Sequence, residues 1–101
     1  MKLTNEQKIK VLKEAKRLIK TGGERCICLA IITAGNFRKQ WDLKNEINGT
    51  DASEFVCKLF PELQKYKPEI PFCNKLWWDA SEMKPRITIL NNYIKELGGK
   101  L

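Results

Sequence analysis

The sequence predicts an all-α fold: a single domain over residues 1–101, built as a compact bundle of about five helices around a buried central helix at residues 24–34. Three observations carry this. Apolar residues recur at helical spacing near both ends of the chain. The stretch from Cys26 to Ala34 holds no charge, and it lies between Gly22-Gly23 and Gly35. No second strand pattern exists to pair with that stretch, and a lone strand leaves its backbone groups unsatisfied.

The elements follow in order. Thr4 with Gln7 is a capping-box signature, and it opens a helix over about Asn5 to Lys20. At 100° per residue, Ile9, Val11, Leu12, Ala15, Leu18 and Ile19 share one broad face. Lys10, Lys13, Arg17 and Lys20 cluster on the other. Gly22 or Gly23 supplies the stop. The central segment starts at the acidic Glu24 and stops at Gly35, which favours helix over strand. Ala30 and Ala34, four apart, let a neighbouring helix approach closely.

Phe37 and Trp41 at i, i+4 predict a third, shorter helix that frays toward the Asn48-Gly49 turn. Asp51 and Glu54 start another, with Phe55, Val56, Leu59 and Phe60 as its core stripe. Pro61 interrupts it or opens a further short turn through Tyr66. Two prolines three apart in Lys67–Cys73 predict an extended loop. Pro85 fits near the start of the last helix, which presents Ile87, Leu90, Tyr93, Ile94 and Leu97 and ends at Gly98-Gly99.

Charge is distributed unevenly. Residues 1–39 hold ten Lys or Arg against three acids, which accounts for the whole net charge of +7. Such asymmetry points to an anionic partner for that part of the chain. The Lys10–Lys20 stripe spans about 15 Å of helix, a length over which phosphates of nucleic acid can be met. It is mostly lysine, which favours backbone attraction over base reading, and it forms no helix-turn-helix motif.

No histidine occurs, so the commonest general base and metal ligand is missing. The four cysteines are Cys26, Cys28, Cys57 and Cys73, and the only close pair is CxC. On a helix, positions i and i+2 point about 200° apart and do not share one ion. The expectation is therefore buried, reduced thiols that pack the core, with no metal and no cofactor. The available carboxylates lie mostly where helices begin, which capping explains. No phosphate-binding glycine motif is present. Gly22-Gly23 beside Arg25 is a weaker place for backbone amides to meet a phosphate. No apolar run reaches the length of a membrane span, and the charged, periodic N-terminal stretch is unlike a signal peptide. A cytoplasmic location is expected.

Trp77-Trp78 face different ways, so if one fills the core the other stays partly exposed. Beside Lys75 and Arg86, an exposed tryptophan can stack on a base or anchor a protein partner.

Cys28-Leu29-Ala30, Ala34, Trp78-Asp79 and the Ile87/Leu90/Ile94 helix together resemble small uncharacterised phage and bacterial helical proteins. Those have a Cys-Leu apolar helix and a Trp-Asn-Asp-like turn. This chain lacks the Asn before Asp79. The resemblance implies a compact phage-type helical protein, acting in the host cytosol if phage-encoded, and no activity.

The leading expectation is a non-enzymatic binding protein. Its basic N-terminal region, with Lys10, Lys13, Arg17, Lys20 and Arg25, joins Trp78 and Arg86 in engaging an anionic partner, nucleic acid or nucleotide. The alternative is a protein-interaction module, such as a phage inhibitor of a host protein or defence system. Phe72, Trp77, Trp78 and the proline loop would then be its anchors.

Overall fold

The structure, a computed structural model, describes residues 2–24, 26–42, 52–69 and 80–100, with backbone alone for 67–69 and 80–82. Within these residues it is all-helical, a bundle of six helical segments around a central buried helix.

Helix α1 runs Asn5–Thr21. Its capping box is complete: the Gln7 amide donates to Thr4 Oγ1 at 3.1 Å, and the Thr4 amide donates to Gln7 Oε1 at 2.8 Å. Such a cap stabilises a helix by about 1 kcal/mol. Gly22 closes α1 at φ 79°, a left-handed conformation that costs glycine nothing. Leu12, Ala15 and Ile19 are fully buried on its inner face, while Ile9, Val11 and Leu18 are half-buried.

Helix α2 is Ile27–Ala34. It begins three residues later than the sequence pattern suggests. The Gly23 and Glu24 amides both turn back to the Leu18 carbonyl, and Cys26 is an extended N-cap. Chain spent on ending α1 is not free to start α2. Ile27, Cys28, Ala30, Ile31 and Ile32 are buried, so α2 is covered on most sides, as a helix apolar nearly all round requires. Gly35 and Asn36 turn the chain, with Asn36 at φ 58°. A β-carbon at Gly35 would overlap the Phe37 ring, which lies directly against it. Residues 38–42 are helical.

Helix α3, Ala52–Leu59, buries Phe55, Val56 and Cys57. The Phe55 ring meets Phe37 at 6.4 Å between centroids. A 3-10 helix, Pro61–Glu69, follows. The extended loop expected from residue 67 is thus corrected for 67–69. Leu63 is fully buried, and Tyr66 donates a hydrogen bond to Glu96 at 2.8 Å. These ties hold the segment against the core and outweigh the pre-proline preference for extended backbone.

Helix α4 is one continuous element, Ala80–Glu96, with Pro85 as its sixth residue. Ile89, Leu90, Tyr93 and Ile94 are buried on it. Gly98 at φ 92° ends it, and the Gly99 amide returns to the Ile94 carbonyl at 2.8 Å. Helix α1 packs on α2 and α4, α2 on α3, and the 3-10 helix on α3 and α4.

The expectation of four reduced thiols is corrected, among the described residues, at Cys26. Cys28 and Cys57 are buried thiols, but Cys26 is disulfide-bonded. Too few cysteines for a disulfide scaffold is no argument against a single bridge. The expected turn at Asn48-Gly49, the 70–73 part of the proline loop, and Trp77-Trp78 lie outside the described residues.

Candidate functional site

The α1 cations stand where the helical phase puts them. Lys10, Lys13, Arg17 and Lys20 are all exposed, on the side away from the core. Two hollows flank the first two, and Arg17 lines one of them. One, of about 510 Å³, lies between α1 and the end of α2, lined by Lys10, Val11, Lys13, Glu14, Arg17, Ala34 and Gly35. The other, of about 460 Å³, is lined by Glu6, Gln7, Ile9, Lys10 and Lys13. Lys10 and Lys13 are common to both, so they form a cationic ridge with a depression on each side. The larger hollow follows from sequence: Ala34 and Gly35 are too small to fill the space beside Val11.

The charges along this face differ in commitment. Arg17 Nε donates to both Glu14 carboxylate oxygens at 3.0 Å. That hydrogen bond, with the accompanying charge attraction, raises the Arg17 pKa and lowers that of Glu14. Among the described residues no carboxylate forms an ion pair with Lys10, Lys13 or Lys20. Lys16, half-buried beside them, donates to Asn91 Oδ1 at 3.0 Å. Burial, then repulsion from Lys20 and Lys13, lowers its pKa, so the ammonium group registers the positive field of its neighbours.

A second polar cluster lies on the inner side of the same helix. Lys8 is only 9% exposed, and its Nζ donates to Glu62 Oε1 at 3.2 Å and Oε2 at 3.4 Å. Tyr93 donates its hydroxyl to Glu62 Oε2 at 3.0 Å. Burial pulls the Glu62 pKa up, but its own backbone amide, Tyr93 and Lys8 together pull it further down, to a net lowering. The Tyr93 hydroxyl is pushed up, first by burial and then by the adjoining Glu62 carboxylate. This cluster ties α1, the 3-10 helix and α4 together. Sequence reading missed it, although a signal was present. Lys8, Leu12, Ala15 and Ile19 form an i, i+4, i+7, i+11 stripe, and a lysine on such a stripe requires a buried acceptor.

The remaining expected site residues do not join the ridge. Arg86 is 2% exposed on α4, so it is a core side chain and not a surface cation. Arg25 and Trp78 lie outside the described residues, as do the anchors Phe72 and Trp77. The Gly22-Gly23 turn does not offer its amides to a phosphate. Gly22 donates to Ile19 at 3.2 Å and Gly23 to Leu18 at 2.8 Å, both in closing α1. Among the described residues no group of three or more His, Cys, Asp or Glu is placed to hold a metal ion. None of the described helices is long and apolar enough to cross a membrane.

Fold and site together define a small all-α protein with a cation-lined groove on its first helix. No protein-family model, curated protein or solved structure matches the chain.

Proposed function

We propose that the protein is a binding protein whose α1 ridge engages a polyanion, with nucleic acid as the partner class. The observation that supports this most is that Lys10 and Lys13 line both hollows and neither forms an ion pair with a described carboxylate, although Glu6 and Glu14 each line one of the hollows. Exposed lysines held in no ion pair beside a depression offer charge attraction without a salt bridge to break first. Phosphates need only such positive points to bind. The test is fluorescence anisotropy with labelled oligonucleotides at 50 and 200 mM salt. Counterion release at the two phosphate contacts of Lys10 and Lys13 predicts an affinity loss of roughly 7- to 12-fold between the two. Absence of binding at the lower salt overturns the reading.

A further inference from the structure

The ridge explains attraction to phosphates and leaves open which form of nucleic acid is held. Gly35 lines the larger hollow, and two residues later Phe37 folds its ring against that glycine. The Trp41 amide donates to the Phe37 carbonyl at 3.0 Å, so the next helical turn projects directly from this corner. On that turn the Arg38 guanidinium carbon lies 5.6 Å from the centroid of the Trp41 ring. This is within the about 6 Å range of a cation–π contact.

Arg38 is held in place from its other side. Its Nη2 donates to Thr33 Oγ1 at 3.5 Å and lies 3.9 Å from Glu24 Oε1, and Thr33 in turn donates to Glu24 at 3.0 Å. The Arg38 side chain is still 50% exposed, and Trp41 is half-buried. The pair is therefore a braced cation–π contact that is open to solvent on its Arg38 side, with Trp41 packed against the core beneath it, next to the exposed Lys39 and close in sequence to Gly35 of the larger hollow. The other described aromatics differ. Phe37, Phe55, Phe60 and Tyr93 are buried, and Tyr66 is engaged by Glu96.

We infer that Arg38 and Trp41 are a stacking platform for an unpaired nucleobase, so that the nucleic acid carried on the α1 ridge is single-stranded. This rests on the proposed function. Phosphates sit on Lys10 and Lys13, and a base extends the Arg38–Trp41 stack. Guanidinium planes and indole rings both accept bases in this way. A duplex keeps its bases stacked inside and has none to offer.

The experiment compares anisotropy of a labelled 12-mer, single-stranded and as its duplex, at 50 mM salt. It uses wild type, Trp41→Leu, Trp41→Phe and Arg38→Gln, each checked for an unchanged far-UV spectrum. Wild type is expected to prefer the single strand at least fivefold. Trp41→Leu should lose about tenfold on the single strand and less than twofold on the duplex. Trp41→Phe, which keeps a ring, should recover most of the loss. The exposed Arg38→Gln gives a readout even if Trp41→Leu does not fold, with an expected loss of about threefold on the single strand alone. Equal losses on both forms, or none on either, overturn the platform and leave the ridge standing. Wild type that binds neither form overturns both.

Discussion

Lys8 and Lys10 stand two residues apart on α1, about 200° around the helix, and meet opposite surroundings. Lys8 is turned inward, 9% exposed and bonded to Glu62. Lys10 is turned outward, on the ridge between two hollows, in no ion pair with a described carboxylate. The residue type is the same, and the helical phase decides the role. Burial forces a lysine to take a fixed partner, because an unpaired charge in low dielectric is costly. Exposure leaves the charge free to serve a ligand. Comparing the two faces separates what holds this protein together from what it has available for binding.

The largest expected effect lies on the outer face. Lys10→Glu with Lys13→Glu reverses both ridge charges and should weaken oligonucleotide binding about 100-fold at low salt. The same variant should melt within about 2 °C of wild type, since exposed lysines contribute little to stability. A matching loss of melting temperature would mean that the ridge is structural after all.

Lys8→Met makes the converse test. It strands the Glu62 carboxylate at a partly buried site, and the expected cost is about 2 kcal/mol, below that of a fully buried pair because Glu62 keeps some contact with water. For a chain of this size that lowers the melting temperature by roughly 10 °C. Oligonucleotide affinity at a temperature where the variant is folded should stay within twofold. Together the two variants show whether stability and binding separate by helix face.

The sequence makes one of these faces legible and not the other, and the reason is physical. Periodicity places Leu12, Ala15 and Ile19 inside and Lys10, Lys13, Arg17 and Lys20 outside, because both sets depend only on the 100° step. The central α2, the Thr4 cap and the Gly98 stop are readable for the same kind of local reason. What is not readable is any pairing across the chain. Lys8 meets Glu62 over 54 positions, and nothing local to either announces it. The hollow beside Val11 needs both α1 and the small residues Ala34 and Gly35. The Arg38–Trp41 stack was within reach, since the two residues are i, i+3, yet the adjacent Trp77-Trp78 pair was the more conspicuous aromatic feature. Arg86 misleads as a charge assigned to the surface by type when its helix faces it inward.

The smallest expected effect is in pH dependence, and it identifies what Lys8 contributes. Glu62 has its folded pKa lowered, so its contribution is present above the unfolded carboxylate value, about 4.3, and is lost as pH falls through the folded one. Tyr93 has its folded pKa raised, so its contribution is present below about pH 10 and is lost as pH rises through the folded value. Stability should therefore be level across the neutral range and fall on both sides. Lys8→Met removes the lysine's hydrogen bonds and its charge, which help hold Glu62 down, while burial still pulls it up. The gap in urea midpoint between wild type and this variant should accordingly be widest near pH 7 and narrow as pH falls from about 4.3 through the lowered folded value, below which Glu62 is protonated in both. A gap unchanged at pH 3 would assign the effect to the packing of the lysine's aliphatic stem. A gap that closes assigns it to the charge, and makes the inner lysine an electrostatic tie between α1 and the 3-10 helix.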